Sequence, residues 1–151
     1  LAISKTVQKQ RPDQAIGHAL EGDIQAASKQ WDAAAKAYRA GLKLAPAPEL
    51  AIKLHSVLVA SGKQAEADRW GAEWLQSNPK DVAVPMYLGD RAIAASQWPV
   101  ATRHYEKVIA QQPDNALALN NLAWLAGQQG RADAAQRALR TARQVWPDAQ
   151  L

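Results

Sequence analysis

No cysteine occurs in the chain, which excludes disulfides, a thiolate nucleophile and cysteine-ligated metal together. The absence leaves the compartment open, since a cysteine-free chain suits reducing and oxidising surroundings alike. No apolar run reaches the roughly 18 residues that a membrane-spanning helix needs, and the sequence opens on Leu1 without a secretory signal pattern. Charge of one sign is scarce as well: 18 basic against 14 acidic residues give a formal net charge of +4. With the signs interspersed, that field is too dilute to nominate nucleic acid as a partner. Phenylalanine is absent, and methionine occurs once. Catalytic and phosphate-binding signatures are missing too, with no GxSxG, no HExxH, no P-loop and no glycine-rich phosphate loop. His18, His55 and His104 stand in separate stretches with no ligand-like spacing to one another, so neither a metal site nor a cofactor is expected.

What is present is an alanine-rich chain, 48% apolar, with a strong intrinsic bias toward helix. One stretch organises the rest: residues 82–115 read VAVPMYLGDRAIAASQWPVATRHYEKVIAQQPDN. Leu88, Ala92, Ala101, Tyr105 and Val108 fall at helical spacing on either side of a break at Ser96 to Pro99, and Pro113 closes the unit. The pattern predicts a helix, a short turn and a second helix. Such a pair cannot bury both of its apolar stripes alone, so it calls for neighbours like itself. They are found. Pro12, Pro46, Pro79, Pro113 and Pro147 are separated by 34, 33, 34 and 34 residues, and Ala34, Ala67, Ala101 and Ala135 each precede a closing proline by 12. Gly22, Gly89 and the small Ala123 recur where the first helix must approach the second closely.

A helix-turn-helix period of about 34 residues carrying Leu-Gly, then Ala, an aromatic and Pro resembles the tetratricopeptide repeat. Here the residues are Leu88, Gly89, Ala101, Tyr105 and Pro113, then Leu122, Ala123, Ala135, Leu139, Ala142 and Pro147. Departures exist: His18, Ala51, Pro85 and Leu119 stand where that family usually has Trp, and Glu21 where it usually has Leu. The resemblance covers nearly the whole chain and implies an all-α fold, a right-handed α-solenoid of antiparallel helix pairs. On this reading residues 1–151 are one superhelical domain. Residues 1–12 are the second helix of a truncated repeat, and four repeats follow at 13–46, 47–79, 80–113 and 114–147.

Taken in order, residues 1–11 end at Pro12 and carry Ile3 and Val7 on one face, expected to pack on the next helix. A chain that begins mid-repeat reads as a piece of a longer array, whose truncated ends could associate with copies of themselves. Repeat one is expected to hold helices near 14–28 and 31–45, with Trp31 opening the second as Trp98 does in repeat three. Repeat two is one residue short. Pro46 to Leu54 spans 8 positions where Pro79 to Leu88 and Pro113 to Leu122 span 9, so the deletion lies in the linker Ala45-Pro46-Ala47-Pro48. Proline there favours extended backbone in the residues before it. Gly71 occupies the slot of Tyr38, Tyr105 and Leu139, and Trp74 that of Gly41, Val108 and Ala142. Small and large have exchanged places, which predicts a buried Trp74. Asp81 is placed to cap the first helix of repeat three, and Asp114 or Asn115 that of repeat four. Pro85 falls in a first turn, where its missing N–H costs little. Arg137, Arg140 and Arg143 form a solvated face that complements the end of the last helix, and Trp146 and Leu151 close the chain without a polar capping helix.

Helical phase fixes the expected site. Leu54 and Leu58, Leu88 and Ala92, and Leu122 and Ala126 mark the packing stripe of the first helices, so the residues one before and two after each leading leucine turn elsewhere. These are Leu20 and Asp23, Lys53 and Ser56, Tyr87 and Asp90, and Asn121 and Trp124. By resemblance to the family, this row is the concave, ligand-facing groove. It implies a protein-interaction scaffold for a protein or peptide partner, with no enzyme activity. Only Lys53 is basic in the row, while Asp23 and Asp90 are acidic, so a free terminal carboxylate is not the expected ligand. An alternative is a carbohydrate-binding or polysaccharide-export module that stacks sugars on groove aromatics. The words KLHSVLVASGKQAEAD, NPKDVAV and HYEKVIAQQPDNALALNNLAWLAGQ, within residues 50–130, resemble the C-terminal repeats of large tetratricopeptide-repeat proteins of the bacterial PEP-CTERM/exosortase exopolysaccharide system. That likeness implies a periplasmic or envelope-associated scaffold; without it the expected location is cytoplasmic.

Overall fold

The computed structural model describes residues 1–10, 14–145 and 147. Expectations resting on Pro12, Trp146 and Leu151 lie outside the described residues. Among these there is no strand, and nine helices follow in chain order: α1 (Ala2–Gln10), α2 (Ile16–Ala27), α3 (Trp31–Leu44), α4 (Pro48–Ala60), α5 (Gln64–Ser77), α6 (Ala83–Ala94), α7 (Trp98–Gln111), α8 (Ala116–Gln128) and α9 (Ala132–Val145). They form two compact units, Leu1–Asn78 and Pro79–Leu151. Within each unit every helix packs on the one before it, and connections this short make successive helices antiparallel. The all-α class and the helix-pair architecture read from the sequence are therefore those of the protein.

One turn is repeated four times. The second residue after each first helix has a positive φ: Lys29 (56°), Gly62 (78°), Ser96 (56°) and Gly130 (69°). At each the N–H reaches a carbonyl three residues back and the next N–H one five residues back, as in Gly62 to Val59 at 2.9 Å and Lys63 to Leu58 at 2.9 Å. This double bond is the Schellman closure, which satisfies helix-end carbonyls and suits glycine best. Lys29 and Ser96 adopt the conformation without being glycine, so the turn is imposed by the packing of the helices it joins. Pro99 lies inside the first turn of α7 rather than in the break before it.

The linker at 45–48 is extended on both sides of Pro46, with Ala45 at φ −151° and ψ 134° and Ala47 at φ −108° and ψ 118°. Pro48 then opens α4. Asp81 caps α6 by accepting from the N–H of Ala83 at 3.0 Å and of Val84 at 3.2 Å, and Asn115, not Asp114, caps α8 by accepting from Ala118 at 3.0 Å. Ala34, Tyr38, Leu54, Leu58 and Ala67 centre the core of the first unit, and Ala101, Tyr105, Val108, Ala118 and Leu125 that of the second. Trp74 is 5% exposed, as the exchange with Gly71 predicts.

The face of α1 requires a correction. The helix forms and packs on α2, but Ile3 is 74% exposed and does not seat there. The inward residues are Ser4, fully buried, and Gln8. The opposing surface of α2 is polar: Gln8 Nε2 donates to Gly17 O at 3.2 Å and to Glu21 at 2.6 Å, while Lys5 bridges Glu21 at 2.9 Å. Gly17 leaves room for this approach, since a Cβ there would meet Gln8 Cγ at 2.6 Å. The amide of Gln8 and the ammonium of Lys5 together hold the Glu21 carboxyl below its ordinary pKa.

Candidate functional site

Each unit builds its first-helix face from the same three residues. Tyr38 packs against Gly22, where a Cβ would meet the ring at 2.2 Å, and Tyr105 packs against Gly89, where it would meet the ring at 2.8 Å. The glycine lets the ring cross, and the phenol then reaches the next residue along the first helix. Tyr38 donates to Asp23 Oδ1 at 2.8 Å, and Tyr105 donates to Asp90. Burial first, and the neighbouring carboxylate second, push both phenols well above their usual pKa. Both hydroxyls therefore remain protonated donors at any physiological pH.

In the first unit the expected row is largely closed on itself. Lys53 Nζ lies 2.7 Å from both Asp23 oxygens, so Asp23 is held by Tyr38 and Lys53 together. Both side chains of that pair remain about two-fifths exposed, at 41% and 43%, and a pair in such water-rich surroundings contributes little stability, roughly 0 to 1 kcal/mol. It occupies the two charges of the row. Leu20, 37% exposed, continues an apolar stripe with Ile16 and Ile24 along α2. Ser56 is half-buried on α4.

In the second unit the row is more open. Asn121 stands close to the hydroxyl of Tyr105, which donates to Asp90. Tyr87 is half-buried with the Arg91 guanidinium 5.9 Å from its ring centre. Trp124 is 44% exposed and stands edge-on to Trp98, with ring centres 5.2 Å apart at 84°. Beside it opens a cleft of about 410 Å³ walled by Ile93, Asn120, Asn121, Ala123 and Leu139. The arrangement offers an anchored indole, amide donors and acceptors, and apolar walls. It can grip a bulky side chain and hydrogen-bond the backbone that carries it.

The eight expected site residues thus divide. Asp23, Lys53 and Asp90 are engaged by hydrogen bonds or an ion pair, Leu20 and Trp124 present apolar surface, and Ser56, Tyr87 and Asn121 are half-buried. Asn120, Ile93 and Leu139 escaped the sequence reading because one-before and two-after offsets select a narrow strip of helix, and a cleft is lined by its shoulders too. The Gly-Asp pairs at 22–23 and 89–90, each followed 15 residues later by Tyr, were the available signal for the hydroxyl–carboxylate bonds. No group of three or more His, Cys, Asp or Glu among the described residues is placed to hold a metal ion. No helix among them is long and apolar enough to cross a membrane.

The family described as Tetratricopeptide repeat matches residues 104–137, from the middle of α7 into α9. Over those residues the chain carries a tetratricopeptide repeat. The fold of its repeats is shared with solved structures of low sequence identity. YrrB, described as a TPR protein with an unusual peptide-binding site, is 18% identical over 97% of this chain and 76% of its own, with a TM-score of 0.63. MamA from Desulfovibrio magneticus is 13% identical over 98% of this chain and 84% of its own, with a TM-score of 0.66. A tetratricopeptide repeat protein from Parabacteroides merdae is 15% identical over 90% of this chain and 55% of its own, with a TM-score of 0.71. No functionally curated protein matches the chain by sequence. The stretch matched at residues 104–137 contains the exposed Trp124.

Proposed function

We propose that the chain is a protein-interaction scaffold that holds an extended or helical partner segment on the first-helix face of its second unit. The observation that carries the reading is the cleft at Trp124. Large aromatics are normally withdrawn into a repeat core, as Trp74 is, yet Trp124 leaves 44% of its surface in water beside two asparagine amides and an apolar wall. An aromatic anchor with few polar neighbours is the usual composition of a binding hot spot. The tetratricopeptide fold supports an interaction role, and YrrB is a peptide-binding protein of that fold. The wider setting we propose, an exopolysaccharide or envelope protein-sorting assembly, rests on the sequence likeness of residues 50–130.

The test is a binding screen of the purified chain against an array of extended peptides and an array of oligosaccharides, repeated with Trp124→Ala and Asn120→Ala together. Asn121 is left intact because it stands close to the buried Tyr105 hydroxyl. Peptide binding that the double variant abolishes, at unchanged helical signal, supports the reading. Binding to oligosaccharides alone would transfer the site to sugar stacking on Trp124, and peptide binding that survives the substitutions would remove this cleft from consideration.

A further inference from the structure

A second cleft, of about 490 Å³, opens in the first unit between α3 and α5, which are second helices and carry no residue of the expected groove. Its residues recur at three and four positions: Arg39, Leu42 and Lys43 on α3, and Glu66, Arg69, Trp70 and Glu73 on α5. Each set is one face of its helix. The floor is Trp70, half-buried, whose Nε1 donates to Ala51 O at 3.2 Å and whose ring centre stands 5.9 Å from that of Trp74. The indole is therefore fixed as a platform, with the half-buried Leu42 beside it. Repeat register makes this site singular, because the other residues at Trp70's place are Ala37, His104 and Ala138.

The charges around the platform are not balanced. Arg39 Nη2 donates to Glu66 Oε1 at 2.6 Å, which neutralises that pair. Lys43 and Arg69 are exposed and form no ion pair among the described residues, and only Glu73 stands against them. An apolar floor beneath two cations complements a group that is bulky and apolar at one end and anionic next to it. We infer that this cleft docks an acidic segment of a partner protein, with a large apolar side chain on Leu42 and Trp70 and a flanking Asp or Glu on Lys43 and Arg69. The proposal is independent of the Trp124 cleft.

The test uses the whole chain, ¹⁵N-labelled, and two end-blocked pentapeptides, Asp-Asp-Phe-Asp-Asp and Lys-Lys-Phe-Lys-Lys. The Trp70 indole N–H signal, assigned through Trp70→Phe, should shift saturably with the acidic peptide and not with the basic one. Lys43→Glu combined with Arg69→Glu touches only exposed side chains and should keep the melting temperature while weakening the acidic peptide by roughly tenfold. Trp124→Ala should leave this binding intact. No saturable shift at Trp70, equal shifts with both peptides, or affinity unchanged by the charge reversals would each overturn the proposal.

Discussion

The two units solve one packing problem with the same glycine, aspartate and tyrosine and then spend the result differently. In the first unit, Asp23 is closed by an ion pair with Lys53, and Trp74 turns inward at 5% exposure. In the second, the residue at the place of Lys53 on the next first helix is the neutral Asn121, and the nearby aromatic is the outward Trp124. A salt bridge across the row satisfies the helices internally. A neutral amide beside an exposed indole satisfies them as well and leaves surface to offer. The comparison teaches that how open this row is left is set less by its signature residues than by what fills the position on the following helix.

The largest effect that sharpens this contrast is on tryptophan. Trp74→Ala should destabilise by about 3 to 5 kcal/mol, the cost of deleting a core aromatic. Trp124→Ala loses one edge contact with Trp98 and should cost about 1 kcal/mol. Urea unfolding of the two variants measures both, and equal losses would mean that Trp124 is core and not an anchor.

Next in size are the glycines beneath the tyrosines. A Cβ at Gly22 would approach Tyr38 to 2.2 Å, whereas at Gly89 the approach to Tyr105 is 2.8 Å. Overpacking of this kind costs about 1 to 3 kcal/mol, so Gly22→Ala should sit at or above the top of that range and Gly89→Ala lower in it. The reverse order in urea midpoints would show that the first unit yields more easily than its tighter geometry suggests.

A smaller difference separates the phenols. Tyr38→Phe leaves Asp23 with Lys53, whereas Tyr105→Phe strips Asp90 of its phenol donor with no ion pair to replace it among the described residues. Each loss of a hydrogen bond of this kind is about 1 kcal/mol, and Tyr105→Phe should be the more costly of the two. Identical losses would mean that water replaces the hydroxyl equally well in both units.

The sequence reading reached the helix pairs, the capping residues and the extended linker because these are local. Proline spacing, Asp81 and Asn115 before a helix, and Pro46 with Pro48 each act within one or two turns of chain. The same reading assigned Ile3 to an interface it does not make, since whether an apolar or a polar face is buried depends on the opposing helix, here the Gly17 and Glu21 surface. The site was legible as a phase and not as a state. Spacing puts Asp23 and Lys53 in one row, but only the fold shows them 2.7 Å apart and engaged with each other. The cleft at Trp70 was not legible at all, because its walls come from two helices whose register is set through the core.

The smallest effect lies where the units differ in a titratable group. At the place held by Ala37 and Trp70 in the first unit, the second has His104, whose Nδ1 is buried with no hydrogen-bond partner among the described residues. Burial first, then the positive charges of Lys107 and Arg103, hold its pKa below the ordinary 6.5. The unfolded chain therefore takes up a proton at higher pH than the folded one, so stability increases with pH across the interval between the two values. His104 should cost nothing above about pH 6.5 and should weaken the second unit as the pH falls below that and through its folded value. Hydrogen exchange at α7 amides, followed from about pH 7.5 to 5.5 as opening free energies, should show this decline, with a much flatter profile at α3. His104→Ala, which installs the residue found at Ala37 and Ala138, should flatten the α7 profile while changing its neutral-pH stability little. A slope that survives the substitution would place the titration elsewhere.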